Sequence, residues 1–249
     1  MKTVLNMRAV GTGVVLCGLL IACDRQPAIA AGGTPSYEIV TQTRPESVNG
    51  FMELFRLAHK TCAFVREGMK LPPPPPLVGL PTDFVTERTT YLGSGSTSLM
   101  RHEEFTVSEL KPELNCQYTI TSSITERLVK DGQLSQALHY SDGTLEVDPP
   151  EPLPPPLRSA GEAYSEPKNV GGVALRCAAP DRSMSKVMPE LCMLDGPSGV
   201  LLDGEGKPII GYARSMPIDP WKVAFLTEPV KVRIGPAVDP ARLVLSKAD

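Results

Sequence analysis

The sequence contains few aromatic residues and no cationic clusters. Phe, Trp and Tyr make up 5% of its 249 residues, and no stripe of Lys and Arg is interleaved with aromatic residues. Proteins that bind nucleic acids present such stripes, so we expect no nucleic-acid partner. The formal net charge is −3. Removal of an N-terminal segment carrying Lys2 and Arg8 would bring it to about −5.

Motifs for metal binding are also missing. The chain has no C-x-x-C pair, and His59, His102 and His139 show no ligand spacing. Structural zinc sites use closely spaced Cys and His ligands, so we expect neither a metal nor another cofactor. Residues 203–207 carry two carboxylates. A calcium loop needs a longer ligand series ending in a bidentate Glu, so this segment is better interpreted as a hairpin loop.

No complete catalytic motif is present. Residues 183–186 match S-x-x-K, in which Lys186 would activate Ser183, but K-T-G and a convincing S-D-N are absent. His102 precedes two glutamates, yet neighbouring side chains on a strand point to opposite faces. His139 is the other acid–base candidate. We expect a protein without catalysis; the alternative is a cell-envelope hydrolase using Ser183 and Lys186, or an acid–base group such as His139.

The apolar run Val10–Ala22 is too short to span a membrane. A transmembrane helix needs about 20 predominantly apolar residues, and this run ends at Asp24 and contains three glycines. Lys2 and Arg8 precede it. A positive region followed by an apolar region of this length is typical of an export signal.

The end of this run resembles the lipobox of bacterial lipoprotein precursors. Residues 20–23 read Leu-Ile-Ala-Cys. The resemblance implies that residues 1–22 are a signal peptide and that the thiol of Cys23 is acylated. Residues 23–36 would then form a flexible tether holding the protein on the periplasmic side of a membrane. Asp24 favours the inner membrane. Residues 28–30 also fit an A-x-A cleavage site, so the alternative is a soluble secreted protein cleaved at Ala30.

Four cysteines remain after the signal and the lipid site, namely Cys62, Cys116, Cys177 and Cys192. An even number in an oxidising compartment predicts two disulfides. Three pairings are open. We favour Cys62 with Cys116 and Cys177 with Cys192, because each pair lies on one side of a proline-rich segment. The shorter loop could contribute about 3 kcal/mol to stability.

Hydrophobic periodicity predicts an α+β fold dominated by antiparallel sheet, with one amphipathic helix near the N-terminus. The helix is expected over 48–66, packed on the sheet through Phe51, Leu54 and their neighbours, although such a helix also fits a membrane or a partner. The clearest strand is 116–128, followed by a turn at 130–132 and a meander. We expect an α+β region over 37–147, a proline-rich linker over 148–157 and a β-rich region over 158–249.

These features predict a binding or interaction module of the cell envelope. The anchor, the disulfides and the proline segments favour surface complementarity with a protein partner over chemistry. An immunity protein that sequesters a toxin and an accessory protein of a secretion system are two versions of this hypothesis.

Overall fold

The computed structural model describes residues 35–155, 163–179, 188–219 and 222–246. Within these ranges the chain forms one α-helix and thirteen strands, with 3₁₀ turns at Pro112–Leu114 and Pro240–Arg242. The helix, α1, spans Val48–Gly68. The strands are β1 (Tyr37–Pro45), β2 (Glu87–Ser94), β3 (Thr97–Val107), β4 (Ile120–Lys130), β5 (Gln133–His139), β6 (Leu145–Val147), β7 (Glu151–Pro152), β8 (Tyr164–Val170), β9 (Val173–Ala178), β10 (Glu190–Gly196), β11 (Gly199–Val200), β12 (Ile210–Arg214) and β13 (Phe225–Ile234). The predicted fold class is confirmed.

All strand pairs are antiparallel, and they form one continuous sheet in the order β6-β5-β4-β3-β2-β1-β13-β12-β10-β9-β8. β1 lies between β2 and β13, so strands from before and after residues 148–157 share this sheet. β7, which falls within 148–157, pairs with β5. In the part of the chain that the structure describes, no helix is long and apolar enough to cross a membrane.

The turn between β4 and β5 forms as the sequence predicts. Asp131 and Gly132 have positive φ angles of 52° and 74°, and Lys130 pairs with Gln133 across a two-residue loop. Positive φ at both central residues is the requirement of a type I′ hairpin turn. The Asp-Gly pair therefore fixes the register of the meander.

The start of β4 differs from the sequence expectation. The alternating pattern began at Cys116, but the strand begins at Ile120. Asn115 and Cys116 both adopt left-handed backbone conformations, with φ of 54° and 56°. These two residues therefore form a turn that brings Cys116 to Cys62 of α1, and the extended chain starts only after it.

The largest buried cluster among the described residues joins the two halves of the chain. Tyr37 and Ile39 of β1 pack with Leu175, Leu194 and Ile209, which come from the second half. The ring of Tyr37 lies over Gly93 of β2, where an added Cβ would come within 2.4 Å of the ring. Glycine is needed here because its missing side chain leaves room for the aromatic ring.

Candidate functional site

One side of α1 packs into an aromatic cluster. Ser47 caps the helix by accepting a hydrogen bond from the backbone N–H of Gly50 at 3.0 Å, as preferred at helix starts. Phe51 and Met52 are buried against Leu80 and Phe84. The ring of Phe51 lies 6.0 Å from that of Phe84 and 6.0 Å from that of Phe225. The N-terminal half of the helix is thereby fixed on the protein.

The opposite side of α1 is apolar but open. Phe64 is 76% exposed, Leu57 62% and Val65 43%. These residues recur at helical spacing with the exposed Thr61 and Gly68, so they share one face. The sequence predicts that this helix packs on the sheet through Phe51, Leu54 and their neighbours, with a membrane or a partner as the alternative. The helix is instead apolar on two sides, and only one of them is covered within the described chain.

A groove runs beside this open face. It is about 690 Å³ in volume. One wall is the helix, through Leu54, Ala58 and Val65, and the other wall is the segment from Val107 to Pro112. Concave apolar sites of this size usually receive a ligand or a side chain from a partner. The groove and the open face share Leu57 and Val65, and we call the combined surface the α1 face.

The segment after α1 holds the helix in place. Arg66 is buried, and its guanidinium donates to the backbone carbonyls of Pro72, at 2.9 Å, and Pro112. His59 makes a 2.9 Å hydrogen bond to the carbonyl of Pro75. Polyproline chains have no internal hydrogen bonds, so their carbonyls are free to accept such donors. The first proline cluster, Pro72–Pro76, therefore braces α1.

The four cysteines are joined in the two pairs that the sequence favours. Cys62 of α1 is bonded to Cys116, with Cα atoms 5.8 Å apart. Cys177 of β9 is bonded to Cys192 of β10, which lies directly opposite it in the sheet. The first disulfide ties the C-terminal half of α1 to the loop that borders the groove.

A polar cluster surrounds Glu126 of β4, whose side chain is 2% exposed. Its two carboxylate oxygens accept hydrogen bonds from the backbone N–H of Ser246 at 2.7 Å and from the Ser246 hydroxyl at 2.9 Å. Arg101 of β3 donates to it at 3.3 Å. Nε2 of His139 lies 3.5 Å away. A cavity of about 320 Å³ separates the C-terminal segment from the sheet at this point.

The hydrogen bonds of this cluster join the C-terminal segment to the sheet. The hydroxyl and the backbone N–H of Ser246 both donate hydrogen bonds to Glu126. His139 lies near the same carboxylate. Nε2 of His139 is buried and has no hydrogen-bond partner within the described residues. The arrangement fastens the segment that ends at Ser246 to the sheet.

Another polar cluster lies on the opposite face of the sheet, where the loop 203–207 covers β3 and β4. Glu205 is buried and pairs with Arg127 at 2.9 Å and Lys207 at 2.8 Å. The carboxylate of Asp203 accepts hydrogen bonds from the backbone N–H groups of Glu205 and Lys207. Both carboxylates are thus used within the chain, as the hairpin interpretation requires. Burial, together with the nearby Asp203, raises the pKa of Tyr91 to about 12.

The remaining predicted site residues do not converge. His102 bonds to Thr89 at 2.9 Å, and Glu103 lies near Arg88 on the opposite face of the strand. Among the described residues, no group of three or more His, Cys, Asp or Glu side chains could hold a metal ion. Cys23, Ser183 and Lys186 lie outside the described residues.

Comparison with known proteins gives no family assignment. No protein-family model matches the chain, and no curated protein or solved structure matches it with significance.

Sequence reasoning missed Glu126 and the open side of α1. Glu126 could have been found from its position in the strand pattern. The strand predicted over 116–128 places Ile124 and Leu128 on one face, and Glu126 lies between them on that face. A carboxylate in phase with a buried face is expected to have partners. For α1, the pattern gave too many apolar positions for one buried stripe, but it did not say which would stay open.

Proposed function

We propose that this chain is a lipid-anchored protein on the periplasmic side of a bacterial membrane, and that it binds another protein through the α1 face. The observation that carries the binding proposal is the exposure of Phe64 and Leu57 on a helix that is otherwise firmly fixed. Contiguous exposed apolar surface on a folded protein marks interaction sites. Immunity against a toxin and an accessory role in secretion are both consistent with such a surface.

Two features support location in the envelope. Disulfides persist in oxidising compartments such as the periplasm, and the four paired cysteines fit that environment. The lipobox at residues 20–23 would supply the anchor at Cys23, and Asp24 favours the inner membrane. Cleavage at Ala30 would instead release a soluble secreted protein.

Anchoring is tested by growing cells with an alkyne-bearing fatty acid and detecting the label on the protein. We expect labelling of the wild type and none of Cys23→Ala. Equal labelling of both forms, or labelling of neither, would refute lipidation at Cys23.

Binding is tested in living cells by placing a photo-crosslinking amino acid at position 64. The matched control carries it at position 230, since Val230 is an apolar residue of β13 that is 57% exposed. We expect a discrete crosslinked product from position 64 only. The same product from both positions, or none from position 64, would contradict binding through the α1 face.

The alternative, an envelope hydrolase, receives no support from the described residues. Its candidates Ser183 and Lys186 lie outside them, and His139 faces a carboxylate already used by Ser246.

A further inference from the structure

We propose that the partner of the α1 face is a second copy of this chain, with the two α1 helices packed antiparallel. This inference rests on the proposed function, because it names the partner for the same surface. Three observations on α1 carry it: the spacing of its exposed residues, their alternating sizes and the charges on one flank.

The exposed residues follow the spacing of a helix-pairing seam. Leu57, Thr61, Phe64 and Gly68 are all exposed and are separated by four, three and four residues. This is the a/d spacing by which two helices pack side by side. The seam covers about 17 Å of helix. On a single helix these apolar side chains stay in contact with water, whereas a second helix packed along the seam buries them.

The sizes along the seam fit an antiparallel partner. If the pair is centred between Cys62 and Ala63, Leu57 faces the partner's Gly68 and Thr61 faces the partner's Phe64. Each large side chain then meets a small one. A Cβ placed on Gly68 would have no atom within 4 Å, so the space above it is free to receive a leucine.

The charges on the flank of the seam fit the same arrangement. Lys60 and Glu67 are exposed on one side of the seam, and within the described chain neither forms an ion pair. In the antiparallel pair, Lys60 faces the partner's Glu67, and symmetry repeats the contact. In a parallel pair, Lys60 would face the partner's Val65, leaving the charges unmatched.

A membrane is the less suitable occupant. Helices that lie on membranes carry mostly Lys and Arg on their polar side. The exposed flank of α1 instead carries two charges of each sign, at Glu53, Arg56, Lys60 and Glu67, and Arg56 is already paired with Glu53. Mixed charges of this kind favour a protein surface.

The test is native mass spectrometry of the full chain purified in mild detergent, over a dilution series. For an interface of about three helical turns we expect a dimer with a Kd of about 1–100 µM. Phe64→Glu should weaken it at least about tenfold, while Val230→Glu, the matched exposed control, should leave it unchanged. Circular dichroism verifies that both variants are folded.

Charge reversal tests the orientation. Lys60→Glu and Glu67→Lys should each weaken the dimer about three- to tenfold, and the double variant should restore it. Residues 60 and 67 are two helical turns apart, so restoration within one chain is not expected. Failure to restore would overturn the antiparallel arrangement.

The outcomes separate this inference from the proposed function. A protein that remains monomeric up to about 100 µM overturns the dimer, and so does a dimer that persists in Phe64→Glu. If position 64 crosslinks to a different protein in cells, binding through the α1 face stands and the dimer falls. Monomers that bind phosphatidylglycerol vesicles, but not when Phe64 is Glu, would assign the face to a membrane instead.

Discussion

Replacing Glu126 with Ala should release the C-terminal segment from the sheet. The carboxylate holds Ser246 by two hydrogen bonds of 2.7 and 2.9 Å and is itself buried. Hydrogen bonds to charged groups contribute about 1.5–3 kcal/mol each, and part of this is regained when the Ser246 groups meet water. The contact with Arg101 adds little, because Arg101 is largely solvated. We expect a loss of about 3 kcal/mol in the free energy of unfolding.

The assay is urea denaturation combined with hydrogen exchange. Exchange should accelerate in residues 238–246, where Val238 and Leu243 pack on Leu92 and Leu99. The matched control is Glu104→Ala on β3, an exposed position, which should change stability by less than about 0.5 kcal/mol. A double-mutant cycle of Ser246→Ala and Glu126→Ala measures the coupling energy between the Ser246 hydroxyl and the Glu126 carboxylate. We expect this energy to be about 1 kcal/mol. Unchanged exchange at the C-terminus in Glu126→Ala would refute the reasoning.

Two further predictions concern the face that the loop 203–207 covers. Gly204→Ala should destabilise the protein by about 2 kcal/mol, because an added Cβ would lie 1.6 Å from the hydroxyl oxygen of Ser98; a urea midpoint equal to the wild type would contradict this. Burial raises the pKa values of Tyr37 and Tyr91, the latter to about 12. In the unfolded chain these groups ionise near pH 10, about their ordinary pKa, so their contribution to stability is complete below that pH and is lost as the pH rises towards 12. Thermal unfolding between pH 8 and 12 should show this decline, and Tyr91→Phe should reduce it; an unchanged slope in the variant would count against the buried phenol.

Much of the fold could be predicted because its signals are local. The Asp-Gly turn specifies the β4–β5 hairpin through backbone conformation alone. The helix start follows from Ser47, and the favoured cysteine pairs follow from their positions on either side of the proline segment. The start of β4 could not be predicted, because the left-handed turn at Asn115 and Cys116 depends on the distant Cys62.

The candidate site was harder to predict because it depends on which surfaces meet. Periodicity shows that α1 has apolar positions, but not that the sheet and the first proline cluster cover only one side of it. Similarly, the bond between Glu126 and Ser246 joins residues 120 positions apart. Such a contact leaves no local pattern except a carboxylate in phase with a buried face.

The buried charged side chains of the described chain hold irregular segments in place. The buried charged side chains here are Arg66, Glu126 and Glu205. Arg66 is used by backbone carbonyls, Glu126 by Ser246, and Glu205 by Arg127 and Lys207. Each of them fastens an irregular segment to the helix or the sheet. The binding proposal therefore rests on the exposed apolar residues of the α1 face and not on these buried charges.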